Sequence, residues 1–376
     1  SKTNKEFWEG GTIPWYRMED LRGNRRMLPD AIQHVTPKAI KRTGLFKGGS
    51  IIMATTATIG EHALLSVDAL ANQQFTNFEV KPEYQALLLP VFVYYYFFVI
   101  DAWCKQNANV SSFPSVAMAS LKLQKIPIPP LSMQEEIVRI LDKFTELEAE
   151  LEAELEARKQ QYEYYRNSLL SFADDLGSGG VVYKTLGEVG TFVRGSGLPK
   201  KDFTESGVGC IHYGQIYTKY GVHTEQTLSF CSEETARRLV RVHTGDLIIA
   251  CTSENVEDVC KAVTWLGEDE IVTGGHTYVY KHKQNAKYIA YYFTTEAFSR
   301  EKRKCAQGTK VIDCKASDLA RIPIPIPPLA EQARIVNILD KFDALTTSLT
   351  EGLPQEIELR RKQYEYYREQ LLSFPA

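Results

Sequence analysis

The sequence predicts a mixed α/β fold with two globular domains separated by a long antiparallel two-helix coiled coil, arranged as a pseudo-two-fold repeat. The first observation behind this prediction is that the 376-residue chain repeats itself. Ile-Pro-Ile-Pro-Pro-Leu stands at residues 126–131 and again at 324–329, and Leu-Asp-Lys-Phe at 141–144 returns at 339–342. A period of about 200 residues is too long for one solenoid unit, so each repeat is expected to hold a domain and a connector.

The second observation is a long apolar stripe in each connector. Apolar residues recur at spacings of three and four between residues 137 and 172, and again between 335 and 374. This spacing is typical of a coiled-coil seam. The first connector helix is expected over residues 131–172. Because neither stripe can be buried alone, the two helices are expected to pack antiparallel, with the carboxy terminus close to the first domain.

The connectors also carry start and spacing signals. Successive prolines exclude a helix ahead of residue 131, because they remove backbone donors and restrict the residues before them. Residues 146–157 read Glu-Leu-Glu-Ala three times, and one such unit adds about one helical turn, or roughly 6 Å. The glutamates themselves fit an ordinary solvated face. Gly352-Leu353-Pro354 is expected to kink or break the second helix.

The third observation is a set of short strands entered from glycine turns. Residues 187–193 and 245–250 are expected strands of the second domain, and residues 49–54 match the latter in the first. The strand at 187–193 has no counterpart ahead of residue 1, so either the returning chain end supplies that edge or the sequence lacks it. The resulting segments are a first domain at 1–130, a connector helix at 131–172, a second domain at 173–323 and a second connector helix at 324–376.

Composition indicates an ordinary protein of the cytoplasm. The net charge is −3, and the acidic residues concentrate on the connectors, so the balance does not oppose an anionic ligand. The seven cysteines form no C-x-x-C pair and are expected to be reduced thiols. The apolar segment 86–100 is shorter than the about 20 residues that a membrane span requires. A core helix is therefore expected there, and we do not expect the protein to bind a membrane.

The sequence carries no motif of catalysis or cofactor binding that we recognise. A G-x-x-x-x-G-K-[ST] phosphate loop, a G-x-S-x-G elbow and the Asn-Pro-Pro-aromatic tetrapeptide of amino-methyltransferases are all missing. The histidines lack metal-ligand spacing. We therefore expect a non-catalytic chain without a cofactor or metal site of its own.

The repeated motifs together resemble a type I restriction–modification specificity subunit. The resemblance covers nearly the whole chain and rests on Ile-Pro-Ile-Pro-Pro-Leu-x-x-Gln, on Ile-Val-x-Ile-Leu-Asp-Lys-Phe and on the closing Gln-Tyr-Glu-Tyr-Tyr-Arg, each present twice in the same order. Thr58-Ile59-Gly60 and Asn72-Gln73-Gln74 add to it. The second repeat departs from it with Gly274-Gly275-His276 at the latter place.

This resemblance implies two target-recognition domains, each reading one half of an asymmetric, bipartite site in double-stranded DNA. It also implies that the helices set the spacer and bind two modification (methyltransferase) subunits. Methylation with S-adenosylmethionine and cleavage driven by ATP and Mg²⁺ would belong to the modification and restriction subunits.

DNA contacts are expected from Lys and Arg for phosphates, and from Arg, Lys, Asn, Gln, Ser and Thr for bases. The first-domain candidates are Arg17, Arg22, Arg25, Arg26, Lys41, Arg42, Thr55, Thr56, Thr58, Gln73, Gln74, Lys105, Asn107 and Asn109. The second-domain candidates are Arg194, Lys200, Lys201, His212, Tyr213, Gln215, Lys219, Tyr220, Thr252, Ser253, Asn255, Arg303, Lys304, Gln307, Thr309 and Lys310. The turn at 23–26 and the loop at 307–310 are the stronger candidates. The alternative for each residue is a solvent-exposed side chain that contacts no DNA.

Two other readings stay open at this point. A two-domain scaffold could bind protein partners and no DNA, and salt-dependent binding to duplex DNA would discriminate against it. An unrecognised enzyme is the third reading, which methyl transfer by the purified chain would establish. The connector tyrosines Tyr162, Tyr165, Tyr364 and Tyr367 are expected in the seam, with a partner surface as the alternative.

Overall fold

The computed structural model describes residues 4–23, 26–41, 43–109, 114–172, 180–348 and 351–374. The candidates Arg25 and Arg42 lie outside these described residues. The chain divides into a first unit of residues 1–152 and 356–376 and a second unit of residues 153–355. Each unit thus combines one globular body with segments of both connectors.

The described residues of the first body form seven strands and three α-helices before the first connector helix. The strands are β1 Ile13–Tyr16, β2 Met27–Leu28, β3 His34–Val35, β4 Ile51–Ala54, β5 His62–Leu65, β6 Leu70–Ala71 and β7 Phe75–Phe78. The helices are α1 Met18–Gly23, α2 Pro90–Gln106, α3 Met118–Leu121 and the connector helix α4 Leu131–Leu169.

The second body is richer in strands. They are β8 Val182–Thr185, β9 Gly190–Arg194, β10 Phe203–Thr204, β11 Val208–Ile211, β12 His223–Thr224, β13 Ser229–Cys231, β14 Val240–Val242, β15 Leu247–Ala250, β16 Thr252–Ser253, β17 Ala262–Trp265, β18 Ile271–Thr273, β19 Thr277–His282, β20 Ile312–Asp313 and β21 Pro323–Ile326. Its helices are α5 Leu186–Val189, α6 Tyr213–Thr218, α7 Glu233–Ala236, α8 Ala286–Tyr292, α9 Glu296–Cys305 and α10 Ala316–Leu319. The second connector forms α11 Leu329–Thr347 and α12 Gly352–Leu371, and α12 belongs to the first unit from residue 356 onward.

Both bodies are built on the same pair of sheets. The main sheet has the order β2-β5-β4-β7 in the first unit and β12-β17-β15-β19-β9 in the second. The other sheet has the order β3-β1-β6 in the first unit, which matches the centre of β10-β13-β11-β18-β14 in the second. Strand directions agree as well, since β2–β5 and β12–β17 are both parallel, as are β1–β6 and β11–β18. The predicted repeat therefore extends from the connectors to the bodies.

One strand distinguishes the two main sheets. β9 pairs with β19 in the second unit, whereas β7 is an edge strand among the described residues of the first. Up to residue 374, the described chain end forms no strand on that edge, and Phe374 packs on Phe92 of α2. The predicted strand at 187–193 is partly wrong: its start is the short helix α5, because Thr185 and Glu188 form a capping box.

The apolar segment of the first body forms the buried helix α2, as predicted. Pro90 occupies its first turn, where a missing N–H costs nothing. Phe92, Tyr95 and Phe97 are almost fully buried in the first unit's core. Across the described ranges, no helix is both long and apolar enough to cross a membrane.

The connectors are helical, with one break. α4 runs without interruption for 39 residues, or about 58 Å, and ends three residues before the predicted position. The second connector is split into α11 and α12 at the predicted break. Gly352 adopts φ +77° there, and a Cβ on it would lie 2.5 Å from the carbonyl oxygen of Ala344, so glycine is required at this position.

Each unit contains an antiparallel seam between the two connectors. In the first unit, Arg361 pairs with Glu148 at 2.8 Å and with Glu152 at 2.7 Å. Directly after α12, Leu372 is buried in the same core as Leu141. The carboxy-terminal helix therefore ends against the first body, which confirms the predicted chain direction.

A buried glutamine attaches each connector to its body. Gln134 accepts from the Leu89 N–H at 2.9 Å and donates to the carbonyl oxygens of Leu87 and Pro129, both at 2.7 Å. Gln332 makes the equivalent contacts in the second unit. It accepts from the Asn285 N–H at 3.0 Å and donates to Gln284 and to the Pro327 carbonyl. These contacts explain the glutamine that closes each Pro-Pro-Leu-x-x-Gln motif.

Candidate nucleic-acid interface

The candidate interface of the second unit lies where β15 and β19 end. Ala250 and Thr277 form the last ladder pair of these strands. Beyond it, the Cys251 N–H donates to the His276 carbonyl at 2.9 Å. β16 then pairs with β20, so the loop that precedes β20 is held beside the strand end.

The loop at 307–310 is a tight hairpin. Gln307 and Asp313 exchange two backbone hydrogen bonds of 3.0 and 2.8 Å. Gly308 has φ +115°, and a Cβ there would lie 2.0 Å from the Val311 carbonyl oxygen. Lys310 is exposed near the tip. A fixed loop with an exposed cation is suited to a DNA phosphate.

The first unit has the same backbone arrangement at the end of β4. We call this arrangement the frame: the residue after the central strand donates its N–H to the residue that precedes the neighbouring strand. Ala54 and Phe75 form the last ladder pair, and the Thr55 N–H donates to the Gln74 carbonyl at 3.0 Å. Gln74 therefore holds the place that His276 holds in the second unit. These are the positions at which the two repeats differ, with Asn-Gln-Gln in the first and Gly-Gly-His in the second.

The hairpin of the second unit also has its counterpart. Thr56 and Ser115 form an isolated antiparallel bridge, at the place where Thr252 and Asp313 pair in the β16–β20 ladder. The Asn109 N–H donates to the Ser115 carbonyl at 3.1 Å. The Asn109 side chain binds Ser115 twice more, at 3.0 and 2.8 Å. Asn109 thus corresponds to Gln307.

Several polar side chains gather at this surface in the second unit. Arg194 is exposed at the end of β9, with its guanidinium 6.0 Å from the Tyr278 ring centre. The exposed His276 ring lies 5.1 Å from the half-buried Tyr213 ring. Ser253 and Thr309 complete the set, half-buried and exposed respectively. Cations, aromatic rings and hydroxyls together are groups that bind nucleic acid.

Several first-unit candidates have structural partners instead. Arg26 pairs with Asp142 of α4 and with the Tyr95 hydroxyl. Thr55 is 6% exposed and shares a 2.8 Å hydrogen bond with Thr76. Breaking such buried contacts would leave polar groups unsatisfied. We therefore leave Arg26 and Thr55 out of the proposed DNA surface.

The remaining first-unit candidates divide by environment. Arg17 pairs with Glu19 and Arg22 with Glu61, and Asn107 caps α2 by donating to the Trp103 carbonyl. Lys41, Gln73 and Gln74 line a cavity of about 680 Å³ beside Trp8 and Trp15. Lys105 lines another cavity with Asp101 and Arg368, and Thr58 is half-buried.

Some second-unit candidates also serve the fold. His212 is 8% exposed and accepts from the Gly214 N–H at 3.2 Å as the N-cap of α6. Burial lowers the pKa of this histidine. Gln215 completes the cap and donates to Ser229 at 2.8 Å. Thr252 is 9% exposed, and its carbonyl accepts from the Tyr217 hydroxyl. We therefore leave His212, Gln215 and Thr252 out of the proposed DNA surface.

The other second-unit candidates lie at the molecular surface in different settings. Arg303 and Lys304 pair with acidic residues of their own helix α9. Asn255 binds Asp258, and the Tyr220 hydroxyl accepts from the Leu228 N–H. The remaining three are exposed lysines, namely Lys200, Lys201 and Lys219.

Sequence reasoning missed His276 as a candidate. It is exposed and adopts φ +64°, a left-handed conformation that is uncommon outside glycine. The signal that could have found it was its alignment with Gln74 in the repeat. Within the described part of the chain, no three His, Cys, Asp or Glu side chains gather in a way that could hold a metal ion.

One frame, used twice with different polar side chains at matching places, defines a tandem recognition protein. The family model described as "Type I restriction modification DNA specificity domain" matches residues 1–157 and 179–359. The chain belongs to this family.

Named relatives agree with this assignment. The chain is 36% identical over 366 residues to the type I restriction enzyme EcoprrI specificity subunit of Escherichia coli, covering 93% of this chain and 85% of that protein. It is 39% identical over 271 residues to the EcoR124I/EcoR124II specificity subunit of the same species, covering 67% of this chain and 64% of that protein.

Solved structures show the same fold at low sequence identity. A chain from a study of complex assembly and conformational transition of the type I R-M system superposes with a TM-score of 0.64 and 16% identity, covering 88% of this chain and 83% of that one. The HsdS subunit from Thermoanaerobacter tengcongensis gives a TM-score of 0.50 at 16% identity, covering 97% and 88%.

Proposed function

We propose that this chain is the DNA sequence-recognition subunit of a type I restriction–modification complex, in which each unit reads one half of an asymmetric, bipartite site. The supporting observation is the frame that both units share at the ends of β4 and β15. The frame places Gln74 and Asn109 in one unit where His276 and Gln307 stand in the other. A constant frame with different side chains is what reading two unlike base sequences requires.

The division of labour within the complex is part of the proposal. The connectors bind two modification subunits, and restriction subunits join through the complex. S-adenosylmethionine, ATP and Mg²⁺ are bound by those partners, and the chain itself catalyses nothing. The segments 1–130 and 173–323 act as target-recognition domains, while 131–172 and 324–376 act as connectors. Location in the cytoplasm stays a prediction.

Sequencing of methylated sites tests the function directly. Cells would carry this chain together with its cognate modification subunit, and their methylated bases would be mapped. We expect one motif of two short, unlike blocks separated by a fixed number of unspecified bases. A continuous palindrome would contradict the proposal. The chain with a frameshift ahead of residue 180 serves as the control, and its cells should lack the motif.

A further inference from the structure

We propose that His276 and Gln74 are equivalent base-reading positions, one in each unit, and that their chemical difference helps to make the two half-sites unlike. This inference rests on the proposed function, since it names two side chains that determine specificity. His276 was not among the residues that the sequence alone indicated. It emerges from the comparison of the two hydrogen-bonded frames.

The equivalence of the two positions follows from backbone contacts. Each residue immediately precedes the strand that pairs with the central strand of its sheet, β19 for His276 and β7 for Gln74. The carbonyl of each accepts from the residue after that central strand, Cys251 at 2.9 Å and Thr55 at 3.0 Å. Both positions therefore present a side chain from the same point of the frame.

The backbone that carries His276 is held firmly. The Thr277 hydroxyl donates to the Gly274 carbonyl at 2.7 Å, and a Cβ on Gly274 would lie 2.5 Å from the Leu198 Cβ. The close approach of the 195–198 turn explains why this repeat has glycine where the first has Asn72. A fixed backbone orients the side chain before DNA arrives, which lowers the entropic cost of binding.

The two side chains are available to a ligand. The Gln74 amide oxygen accepts from Asn72 at 3.0 Å, and the Gln74 backbone N–H donates to Asn72 at 2.9 Å. The contact with Asn72 orients the Gln74 amide and leaves its NH₂ group for a ligand. The His276 ring rests beside Tyr213, and no hydrogen bond from the described residues engages its ring nitrogens.

The chemistry of the two groups predicts different base preferences. The Gln74 amide offers two N–H donors, while Asn72 already uses one of the two lone pairs of its oxygen, so it can bind two acceptors such as guanine O6 and N7. A neutral imidazole carries one donor and one acceptor. It therefore suits a base edge that offers both, such as adenine N6 and N7. Equivalent places would thus recognise different bases.

The variant His276→Gly tests the second unit. Glycine removes the ring and accepts the left-handed backbone without strain, whereas alanine would not. In cells that carry the modification subunit, methylated-site sequencing should show one base position of one half-site losing its preference by about 5- to 150-fold. The other half-site and the spacer should stay unchanged. Gln74→Ala should relax one position of the opposite half-site.

The matched control is His243→Ala. His243 is also exposed, but it lies ahead of β15, at the end of that strand opposite to Cys251. We expect the wild-type motif from this variant. If His276→Gly fails to fold in thermal unfolding, His276→Asn replaces it, because asparagine tolerates the left-handed region.

The outcomes separate this inference from the function on which it rests. A bipartite wild-type motif that stays the same in the folded position-276 variant and in Gln74→Ala overturns the inference and leaves the proposed function standing. A wild-type chain without a bipartite motif overturns the function itself. Relaxation at one position in each half-site supports both.

Discussion

Phe144 stacks on Tyr367 with ring centroids 5.4 Å apart and planes inclined by 26°. Phe342 stacks on Tyr165 in the second unit in the same way, at 5.5 Å and 27°. Each phenylalanine comes from a Leu-Asp-Lys-Phe motif and each tyrosine from a Tyr-Glu-Tyr-Tyr-Arg motif. Each connector supplies its phenylalanine to the seam of one unit and its tyrosine to the seam of the other unit. The same residues are therefore needed in both copies of the connector. This accounts for the high identity of the connectors.

Replacing Phe144 by alanine should destabilise the first unit. The ring also lies 6.2 Å from that of Tyr364, so its loss removes two aromatic contacts. We expect a decrease of about 2–3 kcal/mol in the free energy of unfolding, below the range for a fully buried phenylalanine because the site is half-buried. Urea denaturation measures it. Leu359→Ala, at an exposed position of α12, should change stability by no more than about 0.5 kcal/mol, and equal effects of the two variants would exclude the seam.

Replacing Gln134 by leucine should loosen the joint between α4 and the first body. The Leu89 N–H and the carbonyl oxygens of Leu87 and Pro129 would lose their partner. Each unsatisfied buried group costs about 1–3 kcal/mol, so we expect a loss of at least about 2 kcal/mol by urea denaturation. Gln332→Leu should have a similar effect on the second unit. The control is Gln160→Leu at an exposed position, which should change the free energy of unfolding by no more than about 0.5 kcal/mol. A change as small as this for both Gln134→Leu and Gln332→Leu would show that these hydrogen bonds are dispensable.

Acid should destabilise the second unit through one buried and two half-buried histidines. Burial lowers the pKa of His212, His223 and His282 from the ordinary value of 6.5. The unfolded chain therefore binds protons first, so the stability contributed by neutral histidines is complete above about pH 6.5 and is lost as the pH falls below it. Thermal unfolding between pH 7.5 and 5 measures this loss. His212→Asn keeps a cap acceptor for the Gly214 N–H, so it should preserve stability at pH 7.5 and show a weaker decrease toward pH 5. An unchanged decrease would remove His212 from the explanation.

The connector helices and the core helix α2 could be predicted from local sequence patterns. The apolar spacing and the prolines ahead of Leu131 were enough to place α4, and Gly352 was enough to place the break in the second connector. α5 was missed although its signal is local: Thr185 and Glu188 have the spacing of a capping box.

The candidate site was harder to predict because its residues acquire partners far away in sequence. Arg26 looked free in a turn of basic residues, yet its partner Asp142 is 116 positions away. Thr55 meets Thr76 across a sheet. His276 looked like an isolated histidine, and only the hydrogen bond from Cys251 places it beside the hairpin. Such pairings depend on strand register and on how helices pack against strands, which a single sequence does not reveal.

Replacing Lys310 by alanine should weaken DNA binding equally for all sequences. An exposed lysine at the tip of a fixed hairpin is placed to contact a phosphate, and losing one such contact should reduce the slope of log K against log salt by about 0.9. Titration of the purified complex with duplex DNA at several salt concentrations measures this. Lys304→Ala is the control, because Lys304 already pairs with Glu301 on α9. Equal slopes for the Lys310 variant and the wild type would remove this loop from the DNA surface, and a wild-type complex that does not bind duplex DNA would favour the protein scaffold instead.

Deleting residues 150–153 should shorten the spacer of the recognised site. α4 is continuous through this segment, and one Glu-Leu-Glu-Ala unit corresponds to about 6 Å of helix, or one to two base pairs at about 3.4 Å each. The stripe stays nearly in phase because four residues are close to one turn. Methylated-site sequencing should therefore report both half-sites unchanged and one or two fewer bases between them. The substitution Glu150→Gln keeps the length and removes one exposed charge of this segment, so it should leave the spacer unchanged. A spacer that follows the charge and ignores the length would overturn this account of the connector.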